Sequence, residues 1–276
     1  MKKRQYNFWS DEETQKLANL FNKVKSYNEL AEHFPTHGIE SIKTKICKLR
    51  LEKTAHRKNH CENLLEQTPE AYYWLGFLLA DGSFSIRKIT LTVSAKDIEH
   101  MKKFMNFIQS TNSIRKITGS ECYRFSFTNV KVIKELINRF SISTNKTKNP
   151  SDLFSYTEDQ DLLFSLIVGY IDGDGSISLS HEKYPHLNVV GHESWLNNFT
   201  KIFAFIHEMF SIKPTNKLPT VRTSSTNLPQ DKGNFRDFQI ANINITNRPI
   251  LKAMHHKVKE LNLPVLDRKW SKLKNI

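Results

Sequence analysis

The 276-residue chain is poor in cysteine, in acidic residues and in long hydrophobic runs. Its three cysteines, Cys47, Cys61 and Cys122, form an odd number with no Cys-x-x-Cys pair, which argues against a disulfide scaffold and fits a reducing compartment. Cys47, His56, His60 and Cys61 could in principle supply four zinc ligands, but the adjacent His60 and Cys61 are badly spaced for one ion, so they read as unrelated side chains. The longest apolar run, Leu162 to Ile171, is interrupted by Ser165 and Gly169 and reaches about half the ~20 residues that span a bilayer. The basic start, Met1 to Asn7, leads into Phe8-Trp9-Ser10-Asp11-Glu12 rather than an apolar stretch, so a secretory signal is not expected. These absences point away from secretion and membranes, to the cytoplasm of a bacterial or phage-infected cell or to an organelle. The 28 acidic residues face 41 Lys and Arg, a net charge of +13, and that balance favours a polyanionic partner through attraction and counterion release.

What is present is enough for two or three compact units: 38% hydrophobic residues, with 18 Phe for a core. Residues 1–51 read as a separate small all-α unit, because Leu17, Leu20 and Phe21, then Leu30, Ala31 and Phe34, then Ile42, Ile46 and Leu49 recur at helical spacing. Ser10 followed by Asp11, Glu12 and Glu13 is a capping box at the start of a helix running from Asp11 to Asn22. The third helix, from Ile39 to Arg50, carries Lys43, Lys45, Lys48 and Arg50 off its apolar stripe, which suits a helix-turn-helix whose last helix enters a major groove. A solvated basic face is the competing reading. Residues 52–67 read as a basic linker.

From Thr68 onward one order of elements is written twice, over 68–150 and 151–276. Thr68 and Pro69 open a helix that ends at Asp81-Gly82, and Thr157 with Gln160 carries the capping-box signature before a helix that ends at Asp174-Gly175. Each is followed by strand-like alternation and amphipathic helices: strands at 83–86, 89–94, 113–118 and 122–128 with helices at 97–109 and 130–140, then strands at 176–180, 187–190 and 235–245 with helices at 193–210 and 248–261. Lys217 to Gly233, with two prolines and many Ser, Thr and Asn, reads as a long loop.

The repeated phrase is Gly76-Phe-Leu-Leu-Ala80-Asp81-Gly82-Ser83 and Gly169-Tyr-Ile-Asp-Gly173-Asp174-Gly175-Ser176. Gly76 with Ala80 and Gly169 with Gly173 are four apart, so each helix has a face of small residues along which two backbones can approach closely. Such packing would bring Asp81 and Asp174 together at the negative ends of two helix dipoles, where repulsion calls for a cation. Mg²⁺, or Mn²⁺ in its place, suits hard oxygen ligands that leave room for water and phosphate. Two carboxylates holding divalent metal suit phosphodiester hydrolysis.

These residues resemble the LAGLIDADG homing endonuclease family, with both motif copies in one chain, over about three quarters of the protein. The N-terminal Trp9-Ser10-x-Glu12-Glu13 pattern with its basic third helix is similar to the Myb/SANT class. The resemblance implies an α+β fold of two αββαββα halves with a small all-α helix-turn-helix domain at the N-terminus. It implies motif helices at the interface between the halves, and sheets that lie over the DNA major groove. It also implies a monomeric, intron-encoded or free-standing enzyme that cuts both strands of a long, non-palindromic double-stranded DNA site. Carried over by position, the metal-binding residues are Asp81 and Asp174, with backbone carbonyls of Ala80 and Gly173. Lys96 matches a basic position near the scissile phosphate, where the second half offers His192. The first copy has Leu79 where the second has Asp172.

Alternation along the strands places Ser85, Arg87, Thr90, Thr92, Ser94, Arg115, Arg124 and Ser126, then Ser178, Ser180, His186, Asn188, Arg236, Asn242 and Asn244, on faces suited to DNA. Of these Arg87, Arg115, Arg124, Asn188 and Arg236 are the foremost DNA-binding candidates. An intron-RNA maturase and a non-catalytic DNA-binding regulator on the same fold are the alternative functions; decay of an acidic motif position would have favoured the regulator, and both positions are intact.

Overall fold

The computed structural model describes residues 7–21, 23–24, 26–49, 51, 60–181, 183–214, 218–225 and 237–274, with backbone only at 222–225 and 237–238. The chain separates into two compact units, Met1–Lys58 and Asn59–Ile276.

In the first unit the helices are α1 (Asp11–Phe21), α2 (Tyr27–Glu32) and α3 (Ile39–Lys48). The capping box forms in both directions: Glu13 N–H donates to Ser10 Oγ at 3.1 Å and Ser10 N–H to Glu13 Oε2 at 3.0 Å. Leu17, Phe21, Val24, Leu30, Phe34, Ile42 and Ile46 make a small core. At its edge Trp9 stacks on His37 with ring centroids 4.0 Å apart. Helix α3 stops at Lys48 with Leu49 as its C-cap, two residues short of the expected end; Arg50, like Asn22, lies outside the described residues.

The second unit contains α4 (Pro69–Asp81), β1 (Gly82–Phe84), β2 (Ile89–Ser94), α5 (Ile98–Phe107), β3 (Arg115–Lys116), β4 (Cys122–Phe127) and α6 (Val130–Arg139). The same order then repeats as α7 (Gln160–Asp174), β5 (Gly175–Ser180), β6 (Tyr184–His192), α8 (Leu196–Met209), β7 (Thr220–Ser225), β8 (Asp237–Ile245) and α9 (Arg248–Glu260), with a short α10 (Asp267–Trp270) after it. The sheets are antiparallel and equivalent, β1-β2-β4-β3 and β5-β6-β8-β7. This is the expected duplicated αββαββα, an α+β arrangement.

Alternation decides the sheet faces. Ile89, Leu91 and Val93 of β2 and Phe125 and Phe127 of β4 are buried, while Thr90, Thr92, Ser94, Arg124 and Ser126 point the other way. The registers Thr90 to Ser126, Thr92 to Arg124, and Arg115 to Arg124 put these polar residues side by side on the open face. In the second sheet Asn188 faces Ser176 and Asn244, and His186 faces Ser178.

Helices α4 and α7 differ from the others in being buried nearly all round, at 71–79 and 162–172, as expected of a helix pair inside a core. They pack backbone to backbone. A Cβ added to Gly76 would lie 1.9 Å from the Leu166 carbonyl oxygen, and one added to Gly169 would lie 1.9 Å from that of Tyr73; a Cβ on Gly173 would sit 2.2 Å from Ala80 Cβ. The four-residue spacing of small residues therefore serves the contact it suggested.

The structure corrects two readings and adds one element. The N-cap of α7 is Asp159, whose Oδ1 accepts from Asp161 N–H at 2.8 Å and Leu162 N–H at 3.0 Å, while the Thr157 hydroxyl accepts from Asp159 N–H. A carboxylate one residue before the helix reaches two free N–H groups at once, which a hydroxyl further back cannot. The expected loop after Lys217 contains β7, an edge strand of Thr, Arg, Ser and one half-exposed Val221, so it has no apolar alternation to mark it; its ladder to β8 holds it. The C-terminal α10 carries too few residues to leave a periodic signal.

Replacing Gly169 by Ala should break the helix contact, because the obstructing atom is a backbone carbonyl that cannot move aside. A loss of about 3 kcal/mol or more is expected in urea unfolding of the full chain.

Candidate active site at the paired helix ends

The close contact delivers Asp81 and Asp174 to neighbouring helix C-termini. Burial pushes the Asp81 carboxyl up to about 6, and the charge of Asp174 pushes in the same direction. Asp174 is also raised, by the protein crowded around it, although its tip remains accessible to solvent; the Tyr170 hydroxyl hydrogen-bonds to it and opposes the rise.

Two lysines answer this charge. After α6 the chain returns so that Lys146 Nζ donates to the carbonyls of Leu79 at 2.5 Å and Ala80 at 2.7 Å, the last turn of α4. After α9 it returns again, and Lys269 Nζ donates to the carbonyls of Ile171 at 3.1 Å, Asp172 at 2.5 Å and Gly175 at 2.6 Å, the end of α7. Each ammonium bonds carbonyls of a helix end, where Ile171 also accepts from Gly175 N–H, and sits at the negative pole of the dipole. Burial lowers the pKa of both lysines, and the aspartates oppose that.

Both lysines act on both aspartates. Of the two lysines, Lys269 acts more strongly on Asp81, and Lys146 more strongly on Asp174. A cavity of about 230 Å³ brings Lys146, Asp174, Tyr170 and His192 onto one wall set. Each carboxylate thus feels both ammonium groups, with the one that follows the other half's last helix acting more strongly.

A divalent cation fits this donor set in one particular way. Among the described residues no group of three or more His, Cys, Asp or Glu could hold a metal. Two carboxylates raised by burial, Asp81 also by the charge of Asp174, still supply unmet negative charge, as Mg²⁺ requires when water and phosphate complete its shell. The Ala80 carbonyl is already shared with Lys146.

The other residues singled out in the sequence fall into distinct places. Lys96 is exposed in the short turn between β2 and α5, beside Asp97. His192 lines the cavity, with Nδ1 accepting from Ser194 N–H at 3.2 Å. Arg115 and Arg124 are opposite each other on the open face of the first sheet, Arg87 is exposed in the β1–β2 turn, and Asn188 is half-buried on the open face of the second. Lys43 and Lys48 are exposed on α3, and Lys45 lies 5.9 Å from the Trp9 ring centroid. Arg236 lies outside the described residues. Sequence reading missed Lys146 and Lys269. The only trace they left was a lysine a short way past the last helix of each half, in segments without periodicity.

No protein-family model matches the sequence, and no curated protein matches it. Among solved structures its fold is similar to that of I-SmaMI, a meganuclease bound to uncleavable DNA, at 12% identity and a TM-score of 0.45, over 73% of this chain and 88% of that one. It is similar to I-GzeII, a LAGLIDADG homing endonuclease in complex with its DNA target, at 13% identity and a TM-score of 0.45, over 76% and 88%. It is also similar to I-CpaMI, a LAGLIDADG meganuclease bound to uncleaved DNA, at 12% identity and a TM-score of 0.42, over 72% and 86%.

The raised Asp81 pKa has a signed consequence for stability without metal. The folded carboxyl holds its proton up to about pH 6 while the unfolded one loses it near 3.8, so stability falls as pH rises through that window. Asp81→Asn should therefore melt higher than the parent at pH 8 in chelator, by about 1–2 kcal/mol after discounting for partial exposure, and show no gain near pH 4. Thermal melts at the two pH values check this.

Proposed function

We propose that this chain is a LAGLIDADG-type homing endonuclease that hydrolyses both strands of a long, non-palindromic double-stranded DNA. The paired helix ends carry the reading: Asp81 and Asp174, with Lys146 and Lys269 acting on both, meet at the point where two separate sheets begin. Asp81 and Asp174 would hold Mg²⁺ or Mn²⁺, which when bound neutralises phosphate charge and lowers the pKa of water. In the reaction a water oxygen forms a new bond to phosphorus and the bond to the leaving sugar oxygen breaks. Lys146 and Lys269 place positive charge where the non-bridging oxygens gain negative charge, which stabilises the transition state more than the ground state.

The open sheet faces are the proposed DNA surface. Arg87, Arg115 and Arg124 give the first half guanidinium groups suited to phosphates and guanine edges, whereas Asn188, Asn242 and Asn244 give the second half amides suited to adenine edges. Unequal faces favour an asymmetric target. Lys96, at the end of β2, is proposed as a phosphate contact, and the basic helix α3 of the first unit as an additional DNA-binding helix.

Alanine at Asp81 or Asp174 should abolish double-strand cleavage of a target selected from a randomised DNA library with Mg²⁺. Lys269→Ala and Lys146→Ala should each slow mainly one strand, and opposite strands, by about a hundredfold, read on a duplex labelled separately at each 5′ end. Undiminished cutting by the aspartate variants would remove the catalytic assignment.

Converting Lys43 and Lys48 together to Ala should weaken DNA binding similarly on all sequences and reduce the slope of log K against log salt by up to about two. Titration by fluorescence anisotropy at several salt concentrations measures it.

A further inference from the structure

Asp172 stands in α7 at the place where α4 has Leu79, and it is only 1% exposed. Three donors converge on its carboxylate: the Tyr73 hydroxyl from α4 at 2.7 Å, the Leu266 N–H at 2.9 Å and the Trp270 indole N–H at 2.8 Å. The latter two flank Lys269. The backbone carbonyl of Asp172 itself receives the Lys269 ammonium. One residue thus fixes the chain on both sides of the lysine and accepts its charged end.

That segment is also held by Lys272 Nζ, which donates to the Ile177 carbonyl at 2.7 Å, and by the buried Leu266, Trp270 and Leu273. Helix α10 is four residues long and has no side-chain N-cap, and so short a helix does not persist alone. Its further ties run to the first half, where Arg268 grips Asp97 through Nε at 2.5 Å and Nη2 at 2.8 Å, and Lys103 donates to Asp267 at 2.9 Å. The first half has no counterpart to the buried carboxylate. Lys146 rests on the Leu79 and Ala80 carbonyls, and its neighbour Thr147 accepts from Ser194 Oγ at 3.0 Å. The Leu79 side chain can accept nothing.

We propose that Asp172 is a positioning residue that seats Lys269, and that it therefore controls the half of the site containing Asp81 while leaving the Asp174 and Lys146 half largely unaffected. The strand-level consequence rests on the endonuclease reading; the seating does not. An intact Asp172 is needed for one strand only.

Asp172→Asn and Trp270→Phe, each in the full chain, test this. Asparagine keeps the volume but replaces one acceptor oxygen with a donor, and phenylalanine removes the indole N–H together with part of the ring volume. Cleavage of the strand that Lys269→Ala affects should fall by about tenfold or more, cleavage of the other strand should stay within about twofold, and nicked product should accumulate. DNA affinity at fixed salt should not change. Independently of cleavage, acylation of Lys269, followed by mass spectrometry against Lys146, should rise about fivefold or more in both variants. Equal slowing of both strands, loss on the Lys146 strand instead, or unchanged Lys269 labelling would each overturn the proposal. Should Asp172→Asn fail to fold, Trp270→Phe decides on both measurements. Should the parent cut no DNA, the endonuclease reading falls while the labelling still decides whether Asp172 seats the lysine.

Discussion

The second unit depends on one contact, the backbone-to-backbone packing of α4 on α7. At Gly76 and Gly169 even a methyl group would overlap a carbonyl of the partner helix, so the approach is set by the absence of side chains. Mid-helix glycine costs up to about 1 kcal/mol in conformational freedom, and that cost is offset by two long helices buried on almost every side. Both sheets start directly from the ends of this pair, so the distance between the helices also fixes where each sheet begins.

Such a contact has an electrostatic cost. It sets two carboxylates together at the negative ends of two dipoles, where burial and mutual repulsion raise Asp81 to about 6. The chain responds with lysines that cap the helix carbonyls and lower the pKa of both aspartates. Capping by Lys146 and Lys269 relieves helix-end carbonyls and charge together.

The two halves share a topology without sharing their supports. A buried carboxylate, Asp172, with Tyr73, Leu266 and Trp270 around it, holds the second lysine segment. The first is held by the Lys146 ammonium on Leu79 and Ala80, by Ser194 on Thr147, and by Asn198, whose side chain accepts from Leu153 N–H and donates to the Ser151 carbonyl. Each lysine segment is thus tied to the other half, so the halves cannot be positioned independently of one another. This makes the asymmetry between Leu79 and Asp172 a matter of side-chain anchoring as well as of helix packing.

The duplicated order of elements, the helix bounds around Thr68 to Asp81, the small-residue faces and the two terminal aspartates could all be read from the residues. They depend on local periodicity, capping and spacing along one helix, which a linear sequence records directly. The alternation that separates Thr90 and Arg124 from Leu91 and Phe125 was legible for the same reason. Strand β7 was not, because an edge strand with a polar sequence is held by its ladder to β8 rather than by apolar alternation. Lys146 and Lys269 were not legible either: they lie in irregular segments, more than sixty residues from the Leu79 and Ala80 carbonyls in one case and more than ninety from the Asp172 carbonyl in the other. Only the folding of those segments back across the paired helix ends sets each lysine on its helix end beside the aspartates, since a contact between distant residues is decided by how the chain closes in space.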